Sequence, residues 1–183
     1  MTDYSDKEIV NLWQKGESKE VAFNLIVKKY QERLYWHIRK MVLIHVDADD
    51  VLQETFIKVW TGLDSFRSES QLFTWLYRIA TNEALTFLER KKRKFRASDY
   101  DDVENPAYGK LESDSWFDGD EIQLKLQKAI LTLPDKQRVV FNMKYFDDIK
   151  YEDMAEILGT SVGALKASYH HAVKKIELFF ENN

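Results

Sequence analysis

Lys166, Ala167, His170, His171 and Lys174 fall on one side of a single helical repeat. Leu165, Tyr169, Ala172, Val173 and Ile176 fall on the other side. Lysine and histidine supply donors for phosphates and base acceptors, and a small residue such as Ala167 lets a helix approach a groove closely. A second stripe, Gln71, Trp75, Arg78 and Asn82, recurs at i, i+4, i+7 and i+11. Arginine and asparagine hydrogen-bond base edges and phosphates, and a partly exposed tryptophan stacks on an unstacked base. That Trp75 is simply a core residue is the competing reading. The same run ends in Arg90, Lys91, Lys92, Arg93 and Lys94, a natural phosphate clamp or a solvated C-terminal turn favoured by the helix dipole. A third face is acidic. Asp50, Glu54, Ile57 and Thr61 line one helix side, flanked by Gln53 and Lys58. An apolar residue centred among acids suits protein docking, and equally an ordinary solvated helix side.

The elements that must hold these residues are helices. The chain has only 6 glycines and 2 prolines, and it is rich in Leu, Lys, Glu and Ile, so the fold class is all-α. The apolar spacing predicts helices over residues 20–43, 49–63, 71–93, 121–131 and 134–145. Leu52, Phe56, Val59, Trp60 and Leu63 form the predicted core stripe of the second. Tyr151 to Ile176 reads as a helix-turn-helix. Met154, Ala155 and Leu158 bury its first helix, Gly159 suits a left-handed helix end, and Ser161 caps the next helix. Two small helical domains are expected, over residues 1–95 and 120–183. A flexible acidic linker over 96–119 would join them, carrying Asp99, Asp101, Asp102, Glu104, Asp114 and Asp118.

Composition excludes several classes. The 183 residues include no cysteine, so disulfides and thiolate metal sites are out, which fits a reducing cytoplasm. The adjacent His170 and His171 diverge by about 100° on a helix and suit a shared metal poorly. No apolar stretch approaches the roughly 20 residues of a membrane span, and the polar, acidic start is wrong for a signal peptide. No Gly-rich phosphate loop, metal cluster or nucleophile–base arrangement is visible, so an enzyme and a cofactor are not expected. The net charge of −4 hides strong segregation, because the basic run precedes an acidic stretch and the C-terminal helix is basic again.

Three segments together resemble a known family. Asp47–Trp60 is similar to the core-polymerase-binding helix of sigma-70-family factors. Phe66–Asn82 is similar to their element that recognises the minus-10 promoter region. Leu133–Arg138 followed by Val162–Lys166 is similar to the minus-35-reading domain. Two domains and a short linker resemble the extracytoplasmic-function group, and the resemblance covers nearly the whole chain.

The resemblance implies a transcription initiation factor that binds core RNA polymerase, directs it to promoter DNA and helps open the duplex. It implies that Asp50, Gln53, Glu54 and Ile57 dock on polymerase. The loop Ser65, Phe66, Arg67, Ser68 to Gln71, with Trp75, Arg78 and Asn82, would capture a flipped base, beside the basic Arg90, Lys91 and Arg93. Ser161, Lys166, Ala167, His170, His171 and Lys174 would read the minus-35 duplex. An anti-sigma factor, membrane-anchored, is the implied regulator, and no homo-oligomer is implied. Lys166, Ala167, Ser168 and His171 replace the Arg and Ser usual in the recognition helix, so base preference does not carry over. A dimeric one-component regulator and a helical adaptor that binds no DNA are the rival readings.

Overall fold

The computed structural model describes residues 4–16, 18–97 and 121–182, with the side chains of 95–97 left aside. Among these residues the fold is all helix, with no strand. In chain order the helices are α1 (Asp6–Gln14), α2 (Lys19–Val42), α3 (His45–Gly62), a 3-10 turn (Leu63–Ser65) and α4 (Leu72–Ala97). They continue with α5 (Glu121–Leu131), α6 (Asp135–Tyr145), α7 (Tyr151–Leu158) and α8 (Val162–Asn182). The predicted acidic linker lies almost wholly outside the described residues. Its first two positions belong to α4.

The N-terminal bundle forms because α2, α3 and α4 each present a continuous apolar face to the others. Ile26, Leu34, Ile38 and Met41 of α2 are fully buried, as are Leu76, Ala80 and Ala84 of α4. Each large side chain so buried contributes about 1.5–3 kcal/mol relative to exposure. The small α4 residues let α2 lie close. Ser5 opens α1 with a capping box: its hydroxyl accepts from the Glu8 amide, and Glu8 accepts from the Ser5 amide at 2.7 Å. Trp13 of α1 then donates to Asp64 at 2.9 Å, tying α1 to the 3-10 turn.

On α3 the buried face is Ala48, Val51, Thr55 and Val59. The stripe expected from apolarity is therefore rotated by about a quarter of a turn. Val59 and Leu63 are buried, Leu52 and Phe56 are half-buried, and Trp60 is exposed. Thr55 is tolerated inside because its hydroxyl donates to the Val51 carbonyl at 2.7 Å.

In the C-terminal bundle α8 closes over α5, α6 and α7. Gly159 ends α7 at φ 61 and ψ 40, the left-handed conformation expected of it. Ser161 caps α8, accepting from the Ala164 amide at 3.2 Å. The two bundles then share one core. Val139, Val140, Met143, Ile149, Met154, Ile157 and Leu165 join the apolar cluster built on α2 and α4.

A polar clasp lies at the edge of this shared core. Asp147, in the turn after α6, accepts from Lys40 and pairs with His37 Nδ1 at 3.1 Å. The Asn142 amide donates to the Lys40 carbonyl at 3.1 Å. Burial alone would raise the Asp147 carboxyl, but the hydrogen bonds and charges of His37 and Lys40 outweigh it and hold it below its ordinary value. Its stabilisation is therefore fully present above the ordinary carboxylate range and is lost as pH falls through the lowered value. Unfolding free energy measured from neutral pH to the acid limit of folding should fall less in Asp147→Asn than in the parent. Equal falls would remove Asp147 from the acid response.

Candidate polymerase and promoter interfaces

The acidic face of α3 is exposed along its length. Asp50, Gln53 and Glu54 are open to solvent, and Ile57 is 57% exposed. Beside them runs an open apolar groove of about 520 Å³ between α2 and α3, lined by Phe23, Val27, Gln31, Leu52, Gln53, Phe56, Ile57 and Trp60. Its end is an aromatic wall, with Trp60 edge-on to Trp13 at 5.0 Å and to Phe23 at 5.1 Å. Gln53 and Ile57 belong to both the acidic face and the groove. An apolar floor with a polar rim is the anatomy of a protein-docking site. Sequence reading missed Phe23, Val27 and Gln31, though their i, i+4, i+8 spacing on α2 carried the signal.

The stripe on α4 is assembled but divided. Gln71 is exposed at the start of the helix. Trp75 is half-buried, its ring 5.0 Å from Phe66 and tilted by 43°. Phe66 itself is 8% exposed, so it supports Trp75 from beneath and does not present a surface to a base. Gly62 completes this seat. A Cβ there would lie 3.0 Å from the Trp75 ring, tighter than packing allows without displacement. Ser65, Arg67 and Ser68 are exposed in the preceding loop, and Ser68 holds φ 57, which leaves its backbone strained.

Arg78 and Asn82 are exposed, yet the C-terminal bundle claims them. Arg78 donates twice to the Glu156 carbonyl at the end of α7, at 3.1 and 2.6 Å. Asn82 lines a cleft between the bundles with Lys136, Thr160 and Ser168. The basic run is likewise engaged. Lys91 pairs with Asp47 at 2.6 Å, and Lys92 pairs with Asp135 of α6. Arg90 and Arg93 are exposed beside them.

On α8 the expected readers come together cleanly. Lys166, Ala167, His170, His171 and Lys174 are all exposed on one side. Leu165, Ala172 and Ile176 are buried on the other, with Tyr169 and Val173 half-buried. The His170 and His171 rings sit 6.0 Å apart, and no metal-holding cluster occurs among the described residues. Gly163 leaves open space at the start of α8, where helix amides favour a phosphate. Ser161 is exposed at the same end, its hydroxyl already committed to the cap.

Comparison with known proteins decides the family. The model of sigma-70 region 2 matches residues 26–94, and that of sigma-70 region 4 matches residues 123–176. The chain belongs to the extracytoplasmic-function group of the sigma-70 family. It is 33% identical over 180 residues to the ECF RNA polymerase sigma-E factor of Escherichia coli K12, covering 94% of this chain and 93% of that protein. It is 31% identical to the RNA polymerase sigma-H factor of Pseudomonas aeruginosa, covering 97% and 94%.

Two solved structures share the fold of this sigma factor. CnrH in complex with the cytosolic domain of CnrY matches with TM-score 0.70 and 20% identity, over 97% of this chain and 98% of that one. The sigma factor RpoE with the anti-sigma factor NepR, from Bartonella quintana, matches with TM-score 0.69 and 24% identity, over 87% and 96%.

The Gly62–Phe66–Trp75 seat yields a prediction. Gly62→Ala should push the indole outward, red-shift or quench its emission in a variant keeping only that tryptophan, and reduce promoter opening several-fold. Duplex binding through α8 should be unchanged. Unaltered emission would mean that the ring yields at no cost.

Proposed function

We propose that this sigma factor binds core RNA polymerase through the acidic face and apolar groove of α3, and grips promoter DNA in two places. Asp50, Gln53, Glu54 and Ile57 dock on polymerase. The loop from Ser65, with Gln71, Trp75, Arg78 and Asn82 on α4, takes the non-template strand of the minus-10 element as the duplex opens. Arg90, Lys91 and Arg93 hold its phosphates. Lys166, Ala167, His170, His171 and Lys174 read the minus-35 duplex from the major groove, with Ser161 at the entrance of the recognition helix. What supports this reading is that the chain matches sigma-70 regions 2 and 4 and carries an exposed acidic-apolar face on α3 and an exposed basic face on α8.

No bond chemistry is needed. The protein acts as an initiation factor and not as a catalyst. Unstacking a base costs a few kcal/mol, repaid by contacts made only to the open strand. Of the two solved structures of this fold, one holds the cytosolic domain of CnrY and the other the anti-sigma factor NepR. An anti-sigma factor, itself membrane-anchored, is the corresponding partner here. No helix among the described residues is long and apolar enough to cross a membrane, in keeping with work in the cytoplasm beside polymerase.

Two substitutions separate the roles. Glu54→Lys should abolish holoenzyme formation in a pull-down with core polymerase while the circular dichroism spectrum stays that of the parent. Normal holoenzyme would place the docking face elsewhere. Lys174→Ala should weaken duplex affinity of the holoenzyme and lower the slope of log affinity against log salt by about 1. An unchanged slope would take Lys174 off the phosphate backbone.

A further inference from the structure

Helix α1 has 9 residues, fewer than the roughly 12 at which a helix becomes even marginally stable by itself in water. It is fixed from outside at both ends. At its start the Tyr30 hydroxyl of α2 donates to Asp6 at 2.6 Å, and Lys29 of α2 pairs with the same carboxylate at 3.0 Å. At its other end the Trp13 indole donates to Asp64 at 2.9 Å. Ile9, Val10 and Trp13 are buried between these anchors. Helix α1 is therefore a brace that runs from α2 to the 3-10 turn.

Three elements meet at Asp64. Its Oδ1 accepts from Trp13 of α1 and, at 2.6 Å, from Lys19 at the start of α2. Lys19 also lies 5.0 Å over the Trp13 ring. The two donors hold the carboxyl below its ordinary value, Lys19 more than Trp13. As anchors they differ. The Lys19–Asp64 pair is exposed, and such pairs constrain little. Trp13 is 3% exposed and packs edge-on against Trp60, so its N–H has a fixed direction. A buried donor deprived of its acceptor is costly. Trp13 is thus the fixed point, and Asp64 is brought to it.

The chain leaves Asp64 directly into the loop Ser65–Gln71, where Arg67, Ser68 and Glu69 are exposed. The Ser65 hydroxyl donates to the Gly62 carbonyl at 2.8 Å, and the Phe66 amide to the Leu63 carbonyl at 3.2 Å. These bonds shape the turn without reaching beyond residues 62–66. The bond from Trp13 ties the turn to a separate helix immediately before the loop begins.

We infer that Trp13 is a positioning residue for base selection in the minus-10 strand: through Asp64 it sets the direction in which the Ser65–Gln71 loop leaves the bundle. Trp13 touches no DNA itself. Recognition of one base against another requires the recognising groups to be held in a fixed frame, and the brace supplies that frame at the start of the loop. This inference rests on reading the loop and the α4 stripe as the strand-capturing surface.

Holoenzyme assembled from core polymerase and the full chain is offered a pool of randomised single-stranded deoxyoligonucleotides, and the retained strands are sequenced. The parent should enrich particular bases. The enrichment is a ratio among bound strands, so it is independent of how much holoenzyme forms. Asp64→Ala should lower the ratio at one position by at least about fivefold, the lower end of the discrimination carried by one specific base contact. Its holoenzyme yield should match the parent. Trp13→Phe removes the donor and keeps a ring against Trp60, and it should lower the ratio at the same position. Asp64→Asn keeps an oxygen for the indole and removes the charge. It should retain the parent profile, while total strand affinity rises because a carboxylate repels phosphate.

A parent-like profile in Asp64→Ala or in Trp13→Phe would overturn the inference. Loss of the preference in Asp64→Asn would also overturn it, because the charge and not the hydrogen bond would then be responsible. If Trp13→Phe does not assemble, the two Asp64 variants decide alone, and equal profiles for them overturn the inference. Trp75→Ala tests the underlying reading. Should it leave the parent profile unaltered, the assignment of the loop and stripe to the strand fails, and the inference falls with it.

Discussion

The structure depends on α4 packing against three neighbours at once. Its buried residues Leu72, Leu76, Ala80 and Ala84 close the N-terminal core against α2 and α3, while α7 lies along another side. Close-packed interiors leave no slack for such a helix to rotate. Glu83, nearly buried, adds a polar tie to Lys58 of α3. The apolar groove beside α3 and the Gln71–Asn82 stripe on α4 are thereby held in fixed relation. Under the proposed function that rigidity keeps the promoter contacts in register with the docking face.

Local signals in the sequence translated faithfully into structure. The period of α8, the glycine at its approach and the serine at its cap are all decided within a few residues, so Gly159 and Ser161 do what their types suggest. The core face of α3 did not follow from its apolar stripe. Leu52, Phe56 and Trp60 are apolar because they line a groove, whereas Thr55 sits in the core with its hydroxyl satisfied by its own helix. Periodicity reports where apolar groups lie and is silent on whether a core or a partner covers them. Phe66 is a related case. The resemblance puts it in the base-capturing loop, and its ring packs beneath Trp75. The clasp had no local signature at all, because His37 and Asp147 lie 110 residues apart in the chain.

Charge segregation is expressed through pairs more than through open fields. The net charge of −4 coexists with an exposed basic run because Lys91 and Lys92 each find an aspartate. Exposed pairs of this kind are worth about 0–1 kcal/mol. An anion can therefore displace them at little cost. Helix α8 differs, since among the described residues Lys166 and Lys174 make no ion pair, and Lys166 lies 5.7 Å over the Tyr151 ring.

Among the described residues, the Lys92–Asp135 pair and the Asp147 clasp between the bundles are unequal in one further respect. Lys92 is 55% exposed where it meets Asp135, whereas the Asp147 clasp is almost dry. Dissolved ions screen the first within about 10 Å at ordinary ionic strength and barely reach the second. When ionic strength rises, the rim pair fades while the inner clasp persists. The exposed link between the bundles is thus the salt-sensitive one, and the buried clasp the one that salt leaves intact.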